Sequence, residues 1–224
     1  MFAGIDYEKG LKSNHWIPLL SNLMRLLLTL TVCIFTTNCL AAQSTVNYGA
    51  LPTYSMNGNL QMVVEIPAGT NKKIEYDYIT NTFPVDIKDG EERMINFLPY
   101  PGNYGFIPST MMARSKGGDG DALDVLVLSQ HLAVRAIIEV IPIAVLNLID
   151  NGEVDSKIIA VPFNPTHQVV KATSYSQLHS KYPNVQRLIE LWFTSYKGAD
   201  VMKFNGWGNE VSARAEIEKW LVIN

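Results

Sequence analysis

The sequence predicts an α+β fold: a small β-barrel with helices packed on its outside. Two observations carry that reading. Short runs of Val, Ile, Leu and Met recur between residues 61 and 161, bounded by Gly, Pro, Asn and Asp. Apolar spacing at the 3.6-residue period appears only late, from Val185 onward. Several short strands followed by two helices put the sheet first and the helices against it.

Taken in order, Met62–Ile66 is the first strand, and Pro67 ends it because proline has no N–H for a ladder. Lys73–Ile79 alternates charged and apolar residues in the manner of a half-buried strand. Val125–Leu128 is short and continuously apolar. Val134–Leu148 is long, with Pro142 marking a break or an edge position. Ile158–Val161 is another short strand. Val185, Leu188, Ile189, Trp192 and Tyr196 then share one helical face, and Ala213–Ile223 forms a second helix.

With 224 residues, 47% of them hydrophobic and 17% charged, the chain is long enough for one domain and an appendage. A net charge of −3 argues against non-specific nucleic-acid binding, which requires a basic surface. The appendage is amino-terminal. Leu26–Phe35 (LLLTLTVCIF) is an apolar run preceded by Arg25 and followed by small residues in CLAAQS, the pattern of a secretory signal. Spanning a bilayer takes about 20 apolar residues, so a stable membrane anchor is not expected. A buried core helix is the alternative, but nothing amphipathic flanks the run.

The expected organisation is a signal peptide over 1–42, a loose lead-in over 43–60 and one folded domain over 61–224. Met24 is a candidate start, and cleavage falls near Ala41 or Ala42. That implies a periplasmic or secreted protein, or a cytoplasmic one if the segment is not a signal. Cys33 and Cys39 lie in the segment to be removed, so the mature domain has neither a disulfide nor a thiolate ligand. Cys39 as a lipid-anchor site is a lesser alternative.

The chemistry is concentrated in GGDGDALDVLVL at 117–128. Asp119, Asp121 and Asp124 stand directly before a buried strand, where they repel one another and lose hydration. Something cationic must compensate. Glu65 interrupts an apolar strand. Lys73, Glu75 and Asp77 share one face of the next. Asp150 and Asp155 bracket Asn151-Gly152, itself a hairpin turn signal, with Lys157 beyond. Singly, each carboxylate reads as a solvated strand face. Together, at strand ends and without His or Cys, they read as a site for hard cations, Mg²⁺ or Mn²⁺. An EF-hand is excluded, since Leu123 stands at its fifth position and its terminal Glu is missing. Lys73, Arg93, Lys157 and Lys197, with Tyr104 and Tyr196, supply donors for a small anionic phosphate compound. The four histidines (15, 131, 167 and 179) show no ligand spacing.

VVEIPAG with a following K-x-E, YPGNYGFIP, DGDALDVLVL, DNGEVDSKIIAVP and SYKG occur in the order of the family I soluble inorganic pyrophosphatases, which this chain resembles from residue 61 to Trp207. The resemblance implies an OB-fold-like barrel with flanking helices, several Mg²⁺ ions per site, and hydrolysis of pyrophosphate to two orthophosphates. It implies that Asp119, Asp124 and Asp155 hold the tightest metal, with Asp124 bridging to a second. Glu65 and Asp150 join Asp155 in serving the metals that arrive with substrate, and Glu75 supports them. Asp121 resembles the general base that takes a proton from the attacking water. Lys73, Arg93, Lys157, Tyr196 and Lys197 resemble the pyrophosphate-binding set, and Tyr104 the tyrosine that hydrogen-bonds within the metal site. A homo-oligomer is implied as well.

The family usually carries proline where this chain has Ala122, and an export signal is unusual in it. Two rivals remain. One is a phosphohydrolase of wider range, acting on polyphosphates or nucleotides. The other is an inactive binding protein built on the same barrel, against which the complete aspartate set and the acidic charge speak.

Overall fold

The computed structural model describes residues 46–222. The chain divides into two units, Met1–Val46 and Asn47–Asn224, and the described strands and helices all belong to the second. The expected signal segment lies outside the described residues.

Among the described residues, nine strands and three α-helices follow one another as β1 (Leu60–Ile66), β2 (Ile87–Lys88), β3 (Glu91–Glu92), β4 (Asn103–Phe106), β5 (Asp124–Val127), β6 (Ile137–Asp150), β7 (Glu153–Val154), β8 (Lys157–Pro162), α1 (Tyr175–Lys181), α2 (Val185–Ser195), β9 (Met202–Asn209) and α3 (Glu210–Lys219). Strands β1, β4, β5, β8 and β6 pair in that order, and β6 pairs back to β1, giving a closed ring of five. Only β5 and β8 run parallel within it. Strand β6 makes closure possible by its length: it pairs with β1, β8, β7 and β9 in turn. The ladder with β8 slips between Pro142 and Ala144, where proline supplies no N–H.

Alternation along the strands assigns each side chain to one of two cores. Leu126, Ile159 and Val161 join Tyr104, Trp192 and Phe193, so this face of the ring packs on α2. Val125, Val127, Ile158 and Ala160 join Met62, Ile217 and Trp220, so the other packs on α3. Helix α3 starts at Glu210, ahead of the expected position, because the Asn209 side chain accepts from the Val211 and Ser212 N–H groups. Such a cap contributes about 1 kcal/mol.

Among the longer elements β4, α1 and β9 were not foreseen, nor were the two-residue strands β2, β3 and β7. Strand β4 is disguised by Gly105, where a Cβ would come within 1.9 Å of the Val63 carbonyl oxygen of the neighbouring strand. The backbones meet too closely there for any other residue. In β9 the alternation is broken for other reasons: Gly206 has φ of +108°, and a Cβ at Gly208 would come within 2.6 Å of the Ser212 side chain.

The expected strand at 73–79 is corrected. Residues 71–94 form an arm held by isolated bridges, Lys72 to Met94, Ile74 to Val85 and Asp77 to Thr82. Asp77 is responsible for its tip: its carboxylate accepts from the Ile79 and Thr80 N–H groups at 2.8 and 3.2 Å, closing a turn where a ladder would continue. The described part of the lead-in has no long element, yet it is not loose. Thr53 is buried and donates to the Pro108 carbonyl at 2.8 Å, and Tyr48 packs edge-on against Phe83.

Candidate active site

Strand pairing sets the centre of the site. In the parallel β5–β8 ladder Asp124 lies opposite Lys157, and Asp155 shortly precedes β8. The Lys157 ammonium therefore sits between the two carboxylates, bonded to both, with its side chain 4% exposed. Burial alone would discharge this lysine. The negative charges of Asp124 and Asp155 more than offset it and hold the proton on.

The loop that brings Asp119 and Asp121 alongside is pinned from both ends. Gly120 has φ of +92°, the left-handed turn that reverses the chain between the two aspartates. The Met112 N–H donates to the Asp121 carbonyl at 2.7 Å, and the Gly120 N–H returns a bond to the Met112 carbonyl at 2.8 Å. Ala122 is buried against Tyr76 and Phe106, so the residue that replaces proline is fixed by packing. Asp119 accepts from the Asp121 N–H at 3.0 Å. Burial, followed by the charges of neighbouring aspartates, pushes Asp119 up to about 6 despite that bond. Asp121 is raised by burial and by Asp124.

Glu65, on β1, is 8% exposed and accepts from the Tyr76 N–H at 2.7 Å. Burial is the main reason its pKa is raised to about 8; Lys73 opposes the rise and Asp124 adds to it. Lys73 reaches Glu75 at 2.9 Å. Burial works against its charge, but the Tyr100 phenol and the Glu75, Glu65 and Asp124 carboxylates raise it overall. Glu65, Lys73, Glu75, Asp121 and Asp124 line one cleft of about 160 Å³. A larger cavity of about 470 Å³, between Ser129 and His167, gathers no comparable set of charges.

The remaining residues close around this centre. The Tyr104 ring is buried, with two ammonium groups near it, Lys73 at 5.6 Å and Lys157 at 5.7 Å from its centroid. Asp150 ends β6, and the Asn151-Gly152 turn returns the chain into β7 as its dipeptide foretells. Lys197 bonds to Asp150. Tyr196 stacks on Trp192 at 4.7 Å, and Lys197, Lys157 and Lys73 each lower its pKa against a larger rise from burial. Arg93 bonds to Asp86 at 3.0 Å on the arm and lies within electrostatic reach of Tyr196 and Glu75.

The residues carried by the pyrophosphatase resemblance thus gather around one region, whereas Asp77 stays in the exposed turn at the arm tip. Sequence reasoning missed Asp86, which orients Arg93, and Tyr100, buried beside Tyr104 at 5.1 Å. Both tyrosines lie in YPGNY, but only the electrostatic influence between Tyr100 and Lys73 distinguishes Tyr100 from a core residue.

Among the described residues no three carboxylate or imidazole groups converge on one point, because lysine ammoniums stand between them. The donor set nevertheless fits a hard divalent cation. It is all oxygen, supplied by carboxylates from the loop before β5, from β5 itself and from the residues before β8.

The inorganic pyrophosphatase family model matches residues 62–222. An inorganic pyrophosphatase of Neisseria meningitidis serogroup B is 34% identical over 171 residues, 73% of this chain and 89% of that protein. One from Saccharolobus solfataricus is 33% identical, covering 71% and 88%. Among solved structures, the inorganic pyrophosphatase of Neisseria gonorrhoeae superposes with a TM-score of 0.63 at 33% identity, over 76% of this chain and 94% of that one. That of Thermus thermophilus gives 0.67 at 28%, over 79% and 97%. Match and geometry meet on the same residues, and the chain belongs to the inorganic pyrophosphatase family.

Proposed function

We propose that this cleft hydrolyses inorganic pyrophosphate to two orthophosphates by direct attack of water, with Asp121 as the base. The observation that carries the reading is the lysine between two aspartates at the β5–β8 ladder, within a surplus of carboxylates. Family I pyrophosphatases are metal-dependent, generally using Mg²⁺. Asp119, Asp124 and Asp155 would hold the tightest cation, and Asp150, Glu65 and Glu75 would serve others. When bound, such cations acidify water and neutralise phosphoryl charge.

The chain's own residues do the rest. Asp121 stands at the exposed lip of the loop, its proton affinity raised by burial and Asp124, so it can take a proton from the attacking water. Lys73, Arg93, Lys157 and Lys197 present cationic donors to the phosphoryl oxygens. Tyr104 presents its ring to both the Lys73 and the Lys157 ammonium. Tyr196, beside Lys197, adds a hydroxyl donor. No covalent intermediate is required, and among the described residues no Ser–His pair is placed for one.

The test compares orthophosphate release from pyrophosphate, tripolyphosphate and ATP in Mg²⁺. Preference for pyrophosphate supports the reading; equal rates would favour the wider phosphohydrolase, and no release an inactive binding protein.

Export belongs to the same proposal. Arg25 followed by Leu26–Phe35 supports a signal, so the mature chain begins near Ala42–Ser44 and works in the periplasm or outside the cell. Amino-terminal sequencing of protein from fractionated cells decides it, and an intact Met1 in the cytosol would refute it. Among the described residues no helix is long and apolar enough to cross a membrane. Assembly into a homo-oligomer rests on the family resemblance and is read by light scattering.

A further inference from the structure

Tyr78 lies outside every motif singled out in the sequence, yet it lines the same cleft as Glu65, Lys73, Asp121 and Asp124. Its backbone is fixed by the Asp77 turn at the tip of the arm. Its ring is seated from two sides. Tyr76 meets it edge-on at 4.6 Å, and Phe106 lies 6.1 Å away. On the lead-in, Gly49 leaves so little room that a Cβ there would come within 2.6 Å of the Tyr78 ring.

The residue is nevertheless 56% exposed. A ring packed on aromatics and backbone while more than half open to solvent is held at a mouth, not stored in a core. Among the described residues its hydroxyl has no hydrogen-bond partner. A phenol keeps its proton near neutral pH, so toward an anion it acts as a donor.

Of the carboxylates that line the cleft, Glu65 accepts from the Tyr76 N–H, Asp124 from Lys157 and Glu75 from Lys73. Among the described residues Lys73 is the one cation that lines the cleft, so a phosphoryl oxygen entering from the arm side would meet no other charged donor there. We infer that Tyr78 is a further substrate-contacting residue, whose hydroxyl donates to a phosphoryl oxygen of pyrophosphate from the arm side of the cleft. The inference rests on the hydrolytic reading of the cleft and adds to it a donor that the motif pattern does not contain. It also gives the lead-in a purpose: the Gly49 backbone braces the ring that makes the contact.

The experiment uses the full chain in Mg²⁺ with two probes, pyrophosphate turnover and calorimetric binding of methylenediphosphonate, whose P–C–P bridge cannot be hydrolysed. Tyr78→Phe keeps the ring and its packing while deleting the donor. It should raise KM and weaken the analogue about tenfold, the worth of one hydrogen bond to a charged group. The value of kcat should stay within about twofold, and the thermal midpoint should not move. Gly49→Ala keeps the hydroxyl but displaces the ring, and should shift KM in the same direction by a smaller factor. In the Tyr78→Phe background it should add little.

Unchanged KM and analogue affinity in Tyr78→Phe would overturn this inference alone. A fall in kcat at constant affinity would also overturn it, by placing the hydroxyl in the chemical step. Failure of the unaltered protein to hydrolyse pyrophosphate would instead overturn the functional reading on which it stands.

Discussion

The two walls of the cleft are built by different means. On the sheet wall, Asp124, Asp155, Lys157 and Glu65 sit at the ends of strands whose neighbours are fully buried, and their positions follow from ladder register. On the arm wall, Lys73, Glu75, Arg93 and Tyr78 are carried by isolated bridges and one side-chain turn. The ion pairs differ accordingly. Lys157 with Asp155 is almost sealed, at 4% and 8% side-chain exposure, whereas Glu75, the partner of Lys73, is 49% exposed. A rigid sheet can hold like charges together against their repulsion, while an arm with few ladder bonds can adjust to what enters. The division suits a site that fixes its charge surplus on one side and closes on an anion from the other.

The largest effect should come from the sealed pair. Lys157→Met preserves volume but leaves Asp124 and Asp155 facing each other without a cation. Breaking a buried pair in this way costs roughly 3–5 kcal/mol. Denaturant unfolding should register that loss, and turnover should fall by at least about a hundredfold, since a phosphate ligand goes with it. A Lys157→Met protein of normal stability would show that the pair is better solvated than its burial indicates.

Next come Asp121 of the loop and Asp124 at the start of β5, which separate the base from the metal-holding groups. Asp121→Asn keeps the shape but cannot accept a proton, so kcat should fall by roughly 10²–10⁴ with the tightest Mg²⁺ affinity little changed. Asp124→Asn should lose affinity and rate together. Calorimetric Mg²⁺ titration beside kcat for both variants checks this, and equal metal loss in the two would remove Asp121 from the role of base.

On the arm wall effects should be smaller. Arg93 is partly exposed, so solvent already screens its charge. Arg93→Ala should raise KM for pyrophosphate by about five- to tenfold and leave stability within about 0.5 kcal/mol. A stability loss as large as that of Lys157→Met would erase the distinction between the walls.

The same division explains what could be read from the sequence. Strands β1, β5, β6 and β8 were legible because burial on the ring writes apolar runs into them, and their terminal carboxylates stood out against those runs. Strand β4 was not, since Gly105 answers to the neighbouring backbone and leaves no apolar signal. The arm imitates a strand because Lys73, Glu75 and Asp77 alternate with Ile74 and Tyr76, but a side chain, Asp77, decides its course. Asp86 and Tyr78 could not be found at all. Their significance lies in what they face across the cleft, and no local pattern records that.

A last prediction tests the sheet wall through pH. Glu65 has a folded pKa of about 8 against an ordinary 4.5, chiefly because burial disfavours its charge. An acid whose pKa is raised on folding is held more tightly as the neutral form in the native state. Below about 4.5 both states carry the proton and the group has no effect. Between about 4.5 and 8 the unfolded chain ionises first, so stability falls as pH rises, and above about 8 the penalty is complete. Glu65→Gln removes the titration while keeping a group that can accept from the Tyr76 N–H. Its stability, measured by denaturant unfolding from pH 5 to 9 in EDTA, should exceed that of the unaltered protein by a margin that grows through this window. Mg²⁺ should narrow the margin at pH 8 and above by supplying the charge that burial denies. A margin independent of pH would mean that solvent reaches Glu65, and that the sheet wall is no more sealed than the arm.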